Sequence, residues 1–389
     1  MKSLINSSIA LALISGQTQA QQASITPLPG YNTFASAVSA DGRTIAGHIA
    51  VTAVRWTASS GMVELPRLPG HSMSTAGVSD NGLVIVGVGS SAGVMAACRW
   101  DTDGVTAMWS GGGCMAASSD GSTLVGYQYV TTYPQPTTAR AVRWTTGLGL
   151  QQLPLPAGFV NSEASDICAD GSVIVGSVSN LGEPNHAVKW SESGTPQVLF
   201  QNPAGATSVV AKKVSADGRV IVGTIFTPYF RAFRWSVDGG LSEIDSPTQF
   251  QPFSISANGA IVVGNDGGSN ALRWSRTSGT VFLKAYLQSY GADVSGWSQL
   301  ADATDVSADG RTIVGRGTFN GQPTGFVAVA PLECPGDLFA DRLVNGADLG
   351  VLLSQWGSSG AGVVSDINRD GSVDGADLGT LLSNWGACP

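Results

Sequence analysis

A ten-residue segment occurs seven times between residues 38 and 315. The first copy is VSADGRTIAG, and the later copies read VSDNGLVIVG, ASSDGSTLVG, ICADGSVIVG, VSADGRVIVG, ISANGAIVVG and VSADGRTIVG. Successive turn glycines lie 39 to 51 residues apart, at Gly42, Gly82, Gly121, Gly171, Gly218, Gly259 and Gly310. Periods of this length are typical of propellers and solenoids, in which each unit buries its apolar face against its neighbours.

Each repeat divides into four short strands. The first strand ends at an Asp-Gly or Asn-Gly pair, a strong hairpin signal because both central residues can adopt positive φ, and the second carries the IVG motif. The third ends in a basic residue followed by tryptophan, at Arg55-Trp56, Arg99-Trp100, Arg143-Trp144, Lys189-Trp190, Arg234-Trp235 and Arg273-Trp274. A glycine-containing turn then leads to a fourth strand. Four strands per period indicate the blade of a β-propeller.

The two ends of the array favour a closed ring. The seventh repeat lacks a fourth strand before Cys334, whereas SITPLPG at residues 24–30 forms an unpaired fourth strand ahead of the first repeat. Docking this strand onto the last blade would remove both sheet edges. The sequence therefore predicts an all-β, seven-bladed propeller over residues 21–332, with an open β-solenoid as the alternative.

Repeat position separates packing residues from functional candidates. The Asp-Gly and Asn-Gly turns recur in every repeat, which favours a structural turn over a metal site. The Arg-Trp pairs predict blade packing, with Trp between blades and the basic side chain on the other face. Aromatic residues that break the repeat are better candidates for ligand contacts, with loop anchoring as the alternative. They occur in residues 128–140 with Tyr129 and Tyr133, in residues 227–231, and in residues 286–297.

The N-terminal segment and the composition predict an exported protein. Residues 1–20 combine one lysine, a short apolar run and small residues before Gln21, the pattern of a cleaved signal peptide. No later segment approaches the length of a transmembrane helix. The net charge of −8 argues against nucleic acid or anionic membranes as partners. We therefore expect a secreted, extracellular or cell-surface location, which permits disulfides.

The repeats resemble the HAF-type family of bacterial extracellular repeat proteins. The motif that carries the resemblance is AFRW at residues 232–235, and the resemblance extends over nearly all of residues 24–330. It implies a propeller-like fold and an exported location, and it implies no particular reaction.

Residues 333–389 contain a duplicated segment, NGADLGVLLSQWG and DGADLGTLLSNWG, 29 residues apart. The second copy completes a twelve-residue calcium loop with Gly371 at its bend. Its oxygen ligands are Asp366, Asn368, Asp370, Ser372, Asp374 and Asp377. Calcium takes six to eight oxygen ligands, which side chains alternating along a tight turn can supply. Ca²⁺ is therefore the predicted cofactor.

The first copy of the loop is less complete. Its candidate ligands are Asp337, Asp341, Asn345 and Asp348, at loop positions 1, 5, 9 and 12. Position 3 is Phe339, which has no side-chain oxygen, and position 6 is Arg342, which resists the bend. We expect this loop to bind calcium poorly or to serve as a structural turn.

Two loops that are each followed by one helix resemble a type I dockerin. The WGAC ending is similar to the variant dockerins of planctomycete surface and secreted proteins. The resemblance implies a cohesin-like domain or a cell-surface anchor as the partner. We expect this partner to contact the leucine-rich helices, with Leu352, Leu353, Leu381 and Leu382 as the candidate residues.

The cysteines divide into two groups. Cys334 and Cys388 bracket the tail, and a bond between them would join the ends of a module too small to bury much core. Cys98, Cys114 and Cys168 lie in the repeats. Cys98 and Cys114 are near enough in sequence to pair, and small buried thiols are the alternative.

The sequence contains no complete catalytic set. His48, His71 and His186 occupy unrelated repeat positions, and an HExxH motif is absent from the sequence. A glycosidase needs two carboxylates about 5 to 10 Å apart, and the candidates are Glu64, Glu163, Glu183, Glu192 and Glu243. We assign no catalytic residue. The favoured function is a non-catalytic binding or scaffold propeller, with a polysaccharide-degrading enzyme and a protein-binding adhesin as alternatives.

Overall fold

Seven four-stranded antiparallel sheets form the main body of the protein. The computed structural model describes residues 23–130, 138–276, 278–331, 334, 336–339, 343–359, 363–368 and 372–387. The predicted seven-bladed propeller with four-stranded blades is confirmed. The last blade packs on the first, and the Ala308 N–H donates to the carbonyl of Ala40 at 3.1 Å, so the array is a closed ring and not a solenoid.

The strands follow the chain blade by blade, except that the first strand belongs to the last blade. The first half contains β1 (Ser24–Pro27), then β2 (Thr33–Val38), β3 (Ile45–Ile49), β4 (Thr52–Thr57) and β5 (Gly61–Glu64) in blade 1, β6 (Ser72–Val78), β7 (Ile85–Ser91), β8 (Val94–Asp101) and β9 (Gly104–Ser110) in blade 2, and β10 (Gly112–Ala117), β11 (Thr123–Val130), β12 (Thr138–Thr145) and β13 (Gly149–Gln152) in blade 3.

The second half of the ring has the same order. It contains β14 (Asn161–Ile167), β15 (Ile174–Ser179), β16 (His186–Trp190) and β17 (Pro196–Val198) in blade 4, β18 (Ser208–Val214), β19 (Val220–Thr227), β20 (Tyr229–Ser236) and β21 (Gly240–Glu243) in blade 5, β22 (Gln251–Ile255), β23 (Ile261–Asn265), β24 (Ala271–Ser275) and β25 (Gly279–Phe282) in blade 6, and β26 (Trp297–Val306), β27 (Thr312–Phe319) and β28 (Gln322–Val329) in blade 7.

The N-terminal strand closes the ring as predicted. Strand β1 pairs antiparallel with β28, in a register that places Ser24 opposite Val329 and Pro27 opposite Phe326. Blade 7 therefore takes three strands from the C-terminal end of the array and one from its N-terminal end. This pairing covers the outer edge of β28.

The repeated turn uses its two central residues differently from the prediction. The N–H of Gly42 donates to the carbonyl of Ser39 at 2.9 Å, and only the glycine has positive φ, at 72°. Asp41 keeps negative φ because its side chain organises the turn, accepting hydrogen bonds from the Ser39 hydroxyl and the Arg43 N–H. The same side-chain bonds recur in all seven blades, which confirms the structural interpretation of these turns.

Backbone hydrogen bonds between the seven turns form a closed circle around the channel. Each donor N–H bonds to a carbonyl of the next blade at 2.9 to 3.3 Å. The successive pairs are Ala40 to Asp80, Asn81 to Ser119, Ser119 to Ala169, Ala169 to Ala216, Ala216 to Ala257, Ala257 to Ala308 and Ala308 to Ala40. We call this set the turn ring, and it joins the innermost strands at one end of the channel.

Every innermost strand contains a β-bulge that the sequence analysis did not predict. At one shared repeat position the bulges leave a residue outside the ladder, at Ser36, Ala76, Met115, Ser165, Lys212, Phe253 and Thr304, and β26 has two further bulges. The IVG glycine lies opposite. A side chain at Gly176, for example, would overlap the carbonyl oxygen of Glu163. The IVG glycine is therefore required by the bulge.

The Arg-Trp pairs join consecutive blades. The indole of Trp100 is fully buried and donates to the carbonyl of Pro66 at 2.7 Å, in the connection from the preceding blade. The guanidinium of Arg99 reaches forward, donating to the carbonyl of Gly121 at 2.9 Å and lying 6.0 Å from the ring centroid of Trp144. Lys189-Trp190 repeats this pattern, since Trp190 donates to the carbonyl of Pro154 at 2.8 Å and Lys189 lies 4.7 Å from the ring centroid of Trp235. These two pairs thus pack in both directions around the ring, which supports the predicted packing role.

A helix connects blades 6 and 7. Helix α1 (Leu283–Ser289) has no counterpart in the sequence prediction. Tyr286 is buried beneath the guanidinium of Arg273, 4.4 Å from the ring centroid, and Trp297 is also buried. Of the two alternatives for the aromatic residues in residues 286–297, anchoring is therefore correct for these two side chains, which belong to the core.

The tail consists of two equivalent halves. Strand β29 (Leu343–Val344) precedes α2 (Gly346–Ser354), and α3 (Gly375–Ser383) precedes β30 (Gly386–Ala387). β29 pairs with β30, and the N–H of Val373 donates to the carbonyl of Ser358 at 3.0 Å, so each loop bonds to the segment that follows the other helix. Within the described residues, no helix is long and apolar enough to cross a membrane.

Candidate functional site

Three bulged strands open a cleft between blades 3, 4 and 5. The bulge residues Met115, Ser165 and Lys212 all line it. The cleft has a volume of about 250 Å³. Because β14 begins beside the cleft and ends at the turn ring, the cleft lies at the opposite end of the channel. We call it the mouth cleft.

The mouth cleft contains one carboxylate and one ammonium group. Withdrawal from water raises the pKa of Glu163, and the positive charge of Lys212 partly offsets this effect. Withdrawal from water likewise lowers the pKa of Lys212, against the attraction of Glu163. Among the described ion pairs within 4.0 Å, none joins these two groups. The two charges therefore face the same space without direct contact.

Hydroxyl groups complete the lining. The side chains of Ser165, Ser177 and Ser179 and the phenol of Tyr127 face the mouth cleft. Tyr129 follows Tyr127 on the same side of β11, and their ring centroids are 5.4 Å apart. Tyr129 is 47% exposed. The cleft is thus polar within and carries an accessible aromatic ring on the same strand.

A second polar group, the Arg316 cluster, joins blades 6, 7 and 1. The Arg316 guanidinium pairs with Asp302, whose other oxygen accepts a hydrogen bond from Asn265 at 2.6 Å. Arg316 also lies 5.6 Å from the ring centroid of Phe34, which stacks on His48 at 4.8 Å. Burial, and then the charge of Arg316, lower the pKa of His48. These groups contact one another and fasten the blade at which the ring closes.

Charged side chains also bridge neighbouring blades inside the channel. Lys213 pairs with Asp166 at 3.3 Å, and Asp166 accepts from the N–H of Val214 at 2.9 Å. Asp305 accepts from the N–H of Val38 at 2.8 Å. The cavity enclosed here has a volume of about 110 Å³, and its lining is mostly small residues. These bridges are structural contacts between blades.

The predicted histidines and glutamates do not form a common site. His71 contacts the carbonyl of Pro69, and His186 packs edge-to-face on Phe159. Glu243 is engaged by Arg231 at 2.9 Å. Of the five candidate glutamates, Glu163 alone is part of the described lining of the mouth cleft.

The predicted calcium ligands form two matching arrangements in the described part of the tail. The fully buried carboxylate of Asp377 accepts from the N–H groups of Ile367, Asn368 and Asp374 at 2.7, 3.1 and 2.9 Å. Asp348 is equally buried and accepts from three N–H groups at the same distances, those of Leu338, Phe339 and Asn345. The residues at position 12 therefore hold both loops in one geometry, although Phe339 replaces an oxygen ligand in the first.

The remaining predicted ligands divide between described and undescribed residues. Asp374 and Asn345 cap α3 and α2 through their side chains. Asp337, Asp366, Asn368 and Ser372 are described, whereas Asp341 and Asp370 lie outside the described residues. Among the residues that the structure describes, no group of three His, Cys, Asp or Glu side chains is placed to hold a metal.

The tail helices expose two of the four leucines that were predicted to contact the partner. Leu352 and Leu381 are fully buried in the tail core, which corrects their assignment as partner contacts. Leu353 and Leu382 are 53% and 51% exposed. Trp356 and Trp385 are also exposed. In each helix, the two adjacent leucines therefore divide between the tail core and the surface.

The cysteines of the repeats are free and buried thiols, so the alternative of small buried residues is correct for Cys98, Cys114 and Cys168. Cys334 is disulfide-bonded. Its predicted partner Cys388 lies outside the described residues, and the Cys334–Cys388 pairing stays a prediction.

Lys212 and Tyr127 were missed by sequence reasoning. Lys212 is a charged residue at a repeat position that is otherwise uncharged, six residues before the turn glycine. The charge at this repeat position is the sequence signal for Lys212. It points to the cleft only when the β-bulge at this position is known. Tyr127 directly follows the IVG-type glycine of its repeat, a position that also holds His48 and Arg316 at the other side of the ring.

Comparison with known proteins shows the fold and no family. No family model and no curated protein matches the chain. An oligogalacturonate lyase from Vibrio parahaemolyticus has 12% identity and a TM-score of 0.55, covering 79% of this chain and 93% of the lyase. An oligogalacturonate lyase in complex with manganese gives 13% identity, a TM-score of 0.54 and the same coverage.

A prolyl endopeptidase structure is also similar, with 14% identity and a TM-score of 0.51. The match covers 80% of this chain but only 50% of the endopeptidase. At these identities the similarity supports the propeller architecture alone.

Proposed function

We propose that this protein is an exported, non-catalytic binding or scaffold propeller that is attached to its surroundings through a calcium-dependent, dockerin-like tail. A cohesin-like domain or a cell-surface anchor is the partner of the tail, and the mouth cleft is the ligand site of the propeller. The observation that carries the proposal is the duplicated loop geometry around Asp348 and Asp377. Two copies of one loop that share a core are the expected frame of a paired metal module.

The described residues of the second loop fit calcium by their chemistry. Asp366, Asn368, Ser372, Asp374 and Asp377 all carry side-chain oxygens, the ligands of hard cations. Within the described residues Asp377 accepts from three backbone N–H groups, one fewer than the about four acceptor sites of a carboxylate. When bound, calcium would neutralise the acidic loop and couple its order to metal binding.

The surface of the tail offers a place for the partner. Leu353 and Trp356 are exposed after the first loop, and Leu382 and Trp385 are exposed 29 residues later. Exposed aromatic and aliphatic side chains of this kind supply the central contacts of protein interfaces. We assign partner contact to these residues in place of the buried Leu352 and Leu381.

A calcium titration of the full chain tests the tail, with hydrogen exchange of residues 363–387 as the readout. Calcium should slow exchange in the unmutated protein. Asp370→Ala, at position 5 of the second loop, should abolish the effect, whereas the matched variant Asp341→Ala, at position 5 of the first loop, should retain it. Exchange that ignores calcium in the unmutated chain would exclude a calcium-dependent tail.

Calorimetry with a recombinant cohesin domain and calcium tests the partner. Leu382→Ala with Trp385→Ala should weaken binding at least tenfold without altering the thermal midpoint. Leu381→Ala should instead lower the stability of the tail, because truncating a fully buried leucine costs about 2 to 5 kcal/mol. Full binding by the double variant would remove this surface from the proposal.

An enzyme of polysaccharide breakdown remains the second candidate, supported by the fold similarity to oligogalacturonate lyases. A glycosidase would need another carboxylate about 5 to 10 Å from Glu163. The described lining of the mouth cleft supplies Lys212 opposite Glu163 instead. Release of shorter oligosaccharides from a polysaccharide by the full chain, and its loss in Glu163→Gln, would favour the enzyme.

A further inference from the structure

We propose that the mouth cleft binds one unit of an uncharged carbohydrate chain. The inference rests on the proposed binding function and names its ligand class. Ligand pockets usually measure about 300 to 1,000 Å³, and the volume of about 250 Å³ therefore suits a single small ring more than a large ligand. The cleft also opens at the mouth of the channel, so the rest of a chain can continue into solvent.

The charges of the cleft select a neutral ligand that both donates and accepts hydrogen bonds. The Glu163 carboxylate accepts only, and the Lys212 ammonium donates only. Within the described residues, neither side chain forms an ion pair or a hydrogen bond with protein. A ligand with one net charge would be attracted by one group and repelled by the other. A sugar hydroxyl can donate to Glu163 while its neighbour accepts from Lys212, and such charge-assisted bonds are the stronger class.

The hydroxyls of the lining support the same ligand. Ser165, Ser177, Ser179 and Tyr127 face the cleft, and their hydroxyls have no hydrogen-bond partner among the described residues. An apolar ligand would cover these groups and leave their hydroxyls without hydrogen-bond partners, which disfavours its binding. A polyhydroxylated ligand replaces the lost water at every one of them.

The aromatic pair supplies an apolar contact. Tyr127 and Tyr129 meet at an interplanar angle of 67°, and Tyr129 leaves about half of its surface exposed. A tyrosine ring presents an apolar body and a polar tip, which suits a ligand with one C–H face and a rim of hydroxyls. Carbohydrate rings have this shape.

The two β-bulges explain why the site lies in these blades. Ser165 and Lys212 both occupy the unpaired bulge position, where the side chain is released from the alternation of the strand. The corresponding positions of blades 2 and 6 carry Ala76 and Phe253. The same backbone feature therefore produces polar lining in blades 4 and 5 and apolar side chains in blades 2 and 6. In blades 1 and 7 it carries Ser36 and Thr304, whose hydroxyls bond within the protein.

The test is calorimetry of the full chain in calcium against neutral tetrasaccharides of glucose, xylose and mannose. Two charged ligands are compared with them: tetragalacturonate, which is an acidic sugar, and tetraglycine, which is a zwitterionic peptide. At least one neutral sugar should bind, and Tyr129→Ala, Glu163→Gln and Lys212→Met should each weaken binding at least tenfold. Tyr31→Ala is the matched control, because Tyr31 is 65% exposed on the connection between β1 and β2, outside the lining of the mouth cleft, and it should bind as the unmutated chain does.

Near-UV circular dichroism of each variant separates loss of binding from loss of fold. No binding of any neutral sugar, or binding that all three cleft variants retain, would overturn the inference. Binding of tetragalacturonate or tetraglycine alone, lost in the cleft variants, would overturn the carbohydrate assignment and leave the binding function standing. The calcium response of the tail is measured separately, so its failure would contradict the proposed attachment and not this site.

Discussion

Cys168 occupies a turn position at which the other six blades carry serine. Its thiol donates to Asp170 at 3.0 Å and accepts from the N–H of Val173 at 3.1 Å, the same bonds that a serine hydroxyl makes elsewhere. A hydroxyl is the stronger donor and acceptor. Cys168→Ser should therefore raise the free energy of unfolding by about 0.5 to 1 kcal/mol, measured by urea denaturation.

Cys98 provides the matched control for this prediction. Its side chain is fully buried in an apolar cluster that includes Met73 and Trp100. A hydroxyl introduced there loses its hydration, so Cys98→Ser should lower the free energy of unfolding by about 1 to 3 kcal/mol. If both substitutions destabilise equally, the turn does not distinguish a hydroxyl from a thiol.

Glu163 should make the stability of the protein dependent on pH in a direction opposite to that of an ion-paired carboxylate. Its pKa is raised in the folded state by withdrawal from water, so folding favours the protonated form. The unmutated protein therefore loses stability as pH rises from the unfolded pKa of about 4.3 through the folded pKa. Glu163→Gln should be more stable than the unmutated chain at pH 7 and equal to it at pH 3.

Urea denaturation at both pH values measures this difference, and Glu64→Gln is the control. Glu64 is an exposed glutamate on β5, outside the lining of the mouth cleft, so its substitution controls for the removal of one surface carboxylate. A stabilisation by Glu163→Gln that persists unchanged at pH 3 would show that charge is not its cause. The predicted result would show that the protein keeps the Glu163 carboxylate although its charge lowers the free energy of unfolding. Such a loss of stability is common at binding sites.

At the scale of the element, the IVG glycine and the bulge depend on each other. A Cβ atom at Gly176 would overlap the carbonyl oxygen of Glu163 and crowd Ala164. The backbone cannot relieve the overlap without losing the bulge that presents Ser165. We expect Gly176→Ala to lower the free energy of unfolding by about 3 kcal/mol or more, measured by urea denaturation.

The control for this prediction is Gly182→Ala in the same blade. Gly182 has φ of 76°, and a Cβ atom there meets nothing within 4 Å. Its substitution should therefore cost only the strain of a left-handed residue, about 1 to 2 kcal/mol. Similar losses in the two variants would mean that backbone conformation, and not the overlap at the bulge, determines the requirement for glycine.

Local features of the fold were predictable from the sequence, and features that require two strands were not. The Asp-Gly turns and the Arg-Trp strands follow from residue types that act within a few positions. The bulge depends on the register between two strands, so Lys212 read as an ordinary alternating residue. In the tail, spacing placed Leu352 and Leu353 on one helical face, but only packing against the second loop shows that Leu352 is buried and Leu353 exposed.

At the scale of the whole molecule, two sets of contacts join neighbouring blades. One set is present at every junction of the ring, and the other is present at only some junctions. The turn ring contributes a backbone bond at every junction. The channel bridges are concentrated between blades 4 and 5 and across blades 6, 7 and 1, where Asp166, Lys213, Ser254 and Asp305 bond to neighbouring blades. The corresponding positions of blades 1 to 3 are Ala37, Gly77 and Ala116. The junction closed by β1 is therefore reinforced on both the inner and the outer side.

Closure of the ring by β1 yields the last prediction. Ala23 and Leu28 are buried in the blade 7 and blade 1 cores, and Leu28 donates to the carbonyl of Gly325 at 2.8 Å. Deleting residues 21–30 removes these contacts and uncovers the edge of β28, which can then pair with another chain. The variant should unfold at lower urea concentration and self-associate in light scattering, whereas deletion of residues 333–389 should leave the propeller transition unchanged. A synthetic peptide of residues 23–30 should restore the monomer, and a variant that stays monomeric and equally stable would show that the other three strands of blade 7 close the ring alone.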